Sequence, residues 1–323
     1  MKQRRNNTPA AEPAGKGHGP SGRRDPASSR DRLRVAMERL LALGGAAASS
    51  HEVEAGGTRV HYLAAGDRGP TVVLLQGASG GAANWYRVIG PLSRACRVLA
   101  PDLPGFGLSG PAAPVGPLGG YVAGVVDAWL SALGVPRCML VGTSFGGLAA
   151  LRLAQRRPER VERLVLLDAV GLGWDVPMVV RLARLPALGP LLLRPSRAGM
   201  QWLLDRLLTS RPLPRQHASA LVEYLLWSAR AGETRTLTRA VARFCDLRGQ
   251  REVLTDDELA ALDLPTLILW GAEDRFLPGW HGARAAALIP RSVLVRIRNA
   301  GHSPNWEAPD AVAEALVQFA TAR

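Results

Sequence analysis

VGTSFGG, residues Val141 to Gly147, follows the apolar run CMLV and precedes LAALRLA, a small-residue stretch of helical character. A serine among glycines between a strand and a helix marks a tight turn that strains the serine backbone and leaves its hydroxyl exposed. Gly142 and Gly146 are needed because a Cβ at either place would collide with the adjoining strand or helix. The Phe145 N–H opens the helix and can donate to a developing negative charge. The pentapeptide alone is common. Its strand-turn-helix setting gives it weight, and that setting predicts an α/β fold.

Outward from this turn, continuous apolar runs recur: TVVLLQ (71–76), RVLAPD (97–102), CMLVG (138–142), RLVLLD (163–168), PTLILW (265–270) and SVLVRI (292–297). Such runs suit parallel strands covered on both faces. Helical stretches lie between most of them, at 84–95, 118–134, 145–156, 281–289 and 309–322. Ahead of them, Glu52 to Glu54 and Thr58 to Ala64 alternate like a hairpin turning at Gly56 and Gly57. The expectation is a mostly parallel eight-stranded sheet flanked by helices, built from residues 48–170 and 251–323.

The β-α rhythm breaks once. Residues 171–250 read as helices interrupted by prolines, an inserted helical subdomain. Its Trp174, Trp202 and Trp227 carry more apolar bulk than a surface loop needs; most such side chains pack the insert, and these three are the candidates to line a substrate pocket. At the other end of the chain, residues 1–30 are basic and rich in Gly, Pro and Ser, an expected disordered tail. Residues 31–47 follow as an amphipathic helix, with Leu33, Met37, Leu40 and Leu41 on one face and Gly44 and Gly45 as its stop.

The 323 residues are 47% hydrophobic, ample for a buried core, and carry a net charge of +13. That charge is local: residues 1–34 hold nine Lys/Arg against three Asp/Glu, residues 171–250 hold twelve against five, and the remainder is balanced. No nucleic-acid motif accompanies the surplus, so no nucleic-acid partner is expected. There is no apolar run of membrane-spanning length and no secretory signal, which predicts a soluble, cytoplasmic protein. Cys96, Cys138 and Cys245 lack metal or disulfide spacing and read as small buried hydrophobes.

A serine hydroxyl needs a base to act as a nucleophile at neutral pH. Of the six histidines, His302 stands out in NAGHSPNWEAP, just after the last strand and on the sheet edge where Ser144 emerges. A third group must orient the imidazole. WGAEDRFLP, after the strand PTLILW, offers Glu273 and Asp274.

With these residues in place, the sequence resembles the α/β-hydrolase superfamily, in its cap-bearing branch of esterases, lipases, C–C hydrolases and cofactor-free perhydrolases. The resemblance runs from about residue 50 to the C-terminus. It rests on the order Ser144, Asp274, His302, on G-x-x-D at 271–274, on G-H-x-x-x-x-E-x-P at 301–309 and on DLPGFGLS at 102–109. It implies Asp274 rather than Glu273 as the triad acid, residues 171–250 as a cap, and the backbone N–H groups of Ala78 and Phe145 as an oxyanion hole. One departure lies in QGASGGAANW (76–85): Gln76 stands where the family usually has histidine, before Gly77. Gln76 can still brace the loop by hydrogen bonding.

By this resemblance Ser144 attacks an acyl carbonyl with His302 as base, without metal or organic cofactor. The expected partner is a small apolar ester. C–C cleavage, perhydrolysis and acyl transfer use the same triad, although C–C hydrolases often carry an aromatic residue directly after the catalytic histidine, where this chain has Ser303. A non-catalytic ligand-binding protein on the same scaffold is the reading from a different class, disfavoured by the intact Ser-Asp-His set.

Overall fold

The computed structural model describes residues 28–185 and 187–322. The basic stretch up to residue 27 therefore lies outside the described residues. The chain continues with helix α1 (Ser29–Leu43), which starts on a capping box between Ser28 and Asp31 and buries Leu33, Ala36, Met37, Leu40 and Leu41. It stops at Gly44, where a Cβ would fall 2.1 Å from the Tyr86 carbonyl oxygen.

The strands β1 (Ser49–Ala55), β2 (Thr58–Ala65), β3 (Thr71–Leu75), β4 (Arg97–Pro101), β5 (Cys138–Thr143), β6 (Val161–Leu167), β7 (Thr266–Gly271) and β8 (Ser292–Ile297) form one sheet in the order β1-β2-β4-β3-β5-β6-β7-β8. β1 and β2 pair antiparallel, as do β2 and β4, and all other neighbours are parallel. This is the α/β-hydrolase architecture expected from the sequence. Alternate residues of β3 feed different cores: Val73 and Leu75 join the cluster with Trp129 and Leu148, whereas Val72 and Leu74 join the one with Trp85 and Leu316. Both faces of the central strands are thus apolar, which explains their unbroken hydrophobic runs.

Helices α2 (Tyr86–Ser93), α3 (Leu118–Ala132) and α4 (Phe145–Arg156) connect the first strands. Between β6 and β7 come α5 (Met178–Ala183), α6 (Gly189–Leu192), α7 (Arg197–Leu203), α8 (Arg215–Ser228), α9 (Thr234–Phe244) and α10 (Asp256–Ala260). After β7 follow α11 (Trp280–Leu288), α12 (Pro304–Glu307) and α13 (Pro309–Thr321). β3 has β4 on one side and β5 on the other, so the connections leaving β3 and β5 diverge. A crevice opens at the carboxyl ends of these strands, the usual ligand position of an open α/β sheet.

Candidate active site

Ser144 sits between β5 and α4 with φ 50° and ψ −118°, a left-handed conformation rare for a residue with a Cβ. Its neighbours hold it there. The Ser144 N–H donates to the Leu167 carbonyl at 3.0 Å, and its own carbonyl accepts from Gly147 and Val170, each at 3.0 Å. A Cβ on Gly142 would come within 2.3 Å of the Gly146 carbonyl oxygen, and one on Gly146 within 2.5 Å of the Leu75 and Gln76 carbonyl oxygens. Only glycine fits either place.

The turn aims Ser144 Oγ at His302 Nε2, 3.0 Å away, and His302 Nδ1 lies 2.9 Å from Asp274 Oδ2. The imidazole is 4% exposed and stacks on Phe276 at 4.6 Å. Asp274 Oδ1 accepts the Phe276 and Leu277 N–H groups at 2.7 and 3.0 Å, which fixes the carboxylate's orientation. The neighbouring Glu273 turns to the next loop and accepts the Ala300 N–H at 2.9 Å. The three groups named from sequence therefore meet, drawn from three loops. Asp168 joins them: polar atoms of Asp168, Asp274 and His302 lie within 4.8 Å of one another. Both nitrogens of His302 already have partners, Ser144 and Asp274, so the imidazole offers no free ligand atom to a metal ion.

The loop after β3 runs alongside. A Cβ on Gly77 would stand 3.2 Å from Ser144 Cβ, so the loop at Gly77 leaves little room for a side chain beside the serine. Gln76 is fully buried. With its amide oriented to satisfy both neighbours, its nitrogen donates to the Pro101 carbonyl at 2.8 Å and its oxygen accepts the Leu103 N–H at 2.9 Å. Gln76 thus ties the loop to the end of β4.

Three further carboxylates hold the site's loops, and sequence reasoning gave none of them a role. Asp102 accepts the Ala82 N–H at 2.6 Å and the Leu108 N–H at 2.7 Å, and pairs with buried His61 at 2.7 Å. Glu307 accepts the Gly301 N–H and the Ser210 N–H, both at 2.6 Å, joining the His302 loop to the helical insert. Glu233 accepts the Gly80 N–H on both oxygens at 3.0 and 3.1 Å, and Ser228 Oγ donates to it as well. Burial pushes Glu233 up to about 8, against those donors. Asp102 and Glu307 belong to motifs visible in the sequence, DLPGFGLS and G-H-x-x-x-x-E-x-P. Glu233, among the arginines and leucines of the insert, gives no such signal.

A cavity of about 300 Å³ opens at Ser144, lined by Ala78, Phe145, Glu233 and His302 and by apolar side chains that include Val180, Leu203, Leu237 and Val241. Trp202 lines it too. The expectation for Trp174 and Trp227 needs correction. Trp174 packs on Trp280, ring centres 4.4 Å apart, and is 55% exposed. Trp227 lies between the guanidinium groups of Arg32 and Arg230, at 4.8 and 4.9 Å. Pairing with Trp280 and the two arginines takes both indoles away from the lining. The insert's proline-broken helices conceal which face of each turns inward.

A family model described as the α/β hydrolase fold matches residues 70–309. The 2-hydroxy-6-oxo-6-phenylhexa-2,4-dienoate hydrolase of Burkholderia cepacia is 30% identical over 269 residues, 81% of this chain and 91% of that one. Among solved structures, a bacterial membrane phospholipase A is 30% identical, with TM-score 0.72 over 89% of each chain. A meta-cleavage product hydrolase of Pseudomonas fluorescens is 27% identical, with TM-score 0.70 over 83% of this chain and 96% of that one.

Proposed function

The chain belongs to the α/β-hydrolase family, and from that premise we propose that it is a serine hydrolase cleaving a carboxylic ester with a hydrophobic acyl or alkyl part. The observation that carries this reading is the Ser144-His302-Asp274 hydrogen-bond chain at an apolar cavity. His302 Nε2 takes the Ser144 proton as Oγ attacks the carbonyl carbon, while Asp274 keeps the proton on Nδ1 and stabilises the imidazolium. The N–H groups of Ala78 and Phe145 receive the oxyanion. The imidazolium then protonates the departing alkoxide, leaving an acyl-enzyme on Ser144. Water, deprotonated by His302, attacks that acyl carbon and releases the acid.

In this reading the helical insert, residues 171–250, is a cap whose apolar inner face holds the hydrophobic part of the substrate. The likeness to a phospholipase supports an ester bond as the target. Three buried free thiols fit the expected cytoplasmic location, and among the described residues no helix is long and apolar enough to cross a membrane.

The relative from Burkholderia cepacia supports a second reading, C–C bond hydrolysis on the same triad. Ser303, in place of an aromatic residue after His302, weighs against it. A p-nitrophenyl ester series from acetate to palmitate, run beside a vinylogous 1,5-diketone of the dienoate type, separates the two. The ester reading expects turnover with a chain-length optimum, abolished in Ser144→Ala. Cleavage of the diketone alone would reverse the order.

A further inference from the structure

Asp168 has no part in the hydrogen-bond chain just described, yet it lies against it. It follows β6, the neighbour of β7, in a left-handed conformation with φ 43°. Its Oδ1 accepts the Gly271 N–H at 2.8 Å, while its Oδ2, wholly buried, has no partner. A carboxylate oxygen of Asp168, one of Asp274 and a ring nitrogen of His302 lie within 4.8 Å of one another. Two buried carboxyl groups placed side by side do not both ionise, and the one with more donors keeps the charge. Asp274 has three: the Phe276 and Leu277 N–H groups and His302 Nδ1. Asp168 has one.

We propose that Asp168 holds the shared proton on Oδ2 and donates it to the Asp274 carboxylate, as a positioning residue behind the triad. That hydrogen bond gives the orphaned oxygen a partner and fixes the carboxylate that keeps the His302 proton on Nδ1. Burial and the negative charge of Asp274, with a smaller effect of Glu307, raise Asp168 well above the usual carboxylate range, opposed by the Gly271 N–H. The role in turnover rests on the serine-hydrolase reading. The protonation state does not.

The test therefore uses two readouts on full-length protein. Infrared difference spectra of Asp168→Asn against its parent, both also carrying Ser144→Ala, report protonation without any turnover. A buried carboxylic-acid C=O band present in the parent and lost in the variant is expected; loss of a carboxylate band instead would overturn the proposal. The second readout is the acid limb of kcat/KM for the best ester. Asparagine keeps a donor to Asp274, so Asp168→Asn should retain activity within about threefold and leave the limb unmoved. Were Asp168 an anion, its removal would take a negative charge from beside the imidazole and move the limb to lower pH, which would sink the idea. Asp168→Leu removes the donor and should lower kcat by about 10- to 100-fold with little change in KM. If the wild type turns over no ester, the ester reading fails while the infrared result still decides the state of Asp168.

Discussion

At the residue scale, Glu233 shows how a buried acid makes stability depend on pH. Its folded-state pKa is raised from 4.5 to about 8, chiefly by burial, whereas the unfolded chain releases that proton near 4.5. Between those values the folded state binds one proton more, so the stabilisation, complete below pH 4.5, declines through the window and is gone above about pH 8. One proton corresponds to a slope of about 1.4 kcal/mol per pH unit. Urea unfolding of wild type and Glu233→Gln from pH 5 to 9 should give a shallower decline for the variant by roughly that slope; superimposable curves would refute the assignment. The tryptophans provide a second residue-level prediction. Trp202→Ala enlarges the cavity it lines and should move the chain-length optimum of ester hydrolysis to longer acyl groups. Trp174→Ala and Trp227→Ala, whose rings pack elsewhere, should leave it in place. An unchanged optimum in Trp202→Ala would remove that side chain from the substrate-binding surface.

At the scale of elements, the turn between β5 and α4 converts sequence into geometry most directly, and two glycines to alanine give opposite signs. Gly146→Ala puts a methyl 2.5 Å from two carbonyl oxygens of the β3 end, backbone that the sheet holds fixed. It should cost about 3 kcal/mol or more and displace Ser144. Gly124, exposed inside α3, has nothing within 4 Å of a Cβ. Gly124→Ala should therefore stabilise by roughly 0.5–1 kcal/mol through helix propensity. Paired denaturant titrations check both; a stabilised Gly146→Ala would contradict the packing of the turn. The same contrast explains what was legible in the sequence. Strands such as TVVLL, apolar on both faces, and the glycines around Ser144 follow from strong local constraints, so β3, β5 and the turn were readable, as were the residues that meet at the site. Glu233 and the orientations of Trp174 and Trp227 depend on how short, proline-broken helices settle on the sheet. No periodicity encodes that.

Across the whole molecule, the N-terminal helix and the insert form one mechanical unit. The buried face of α1 packs chiefly on α8 and also touches α2, and Arg39 of α1 pairs with Glu223 of α8 at 3.1 Å. α8 carries Tyr224, whose hydroxyl lies 2.8 Å from where a Gly81 Cβ would be, and the chain then turns to Glu233 over Gly80. A path of direct contacts thus runs from α1 through α8 to the loop bearing Ala78. Leu33 and Leu40 are fully buried in the α1 face, and each truncation to alanine should cost about 2–5 kcal/mol if α1 shares the global unfolding transition. Loss of that anchoring should also loosen α8. In Leu33→Ala/Leu40→Ala, hydrogen exchange is expected to accelerate in α8 and around Gly80 and Gly81, with kcat/KM for the best ester falling, while β5 to β7 stay protected. Faster exchange confined to α1, with turnover unchanged, would mean that the helix merely rests on the insert. Acceleration reaching Gly80 would make it the clasp that sets the loop bearing Ala78.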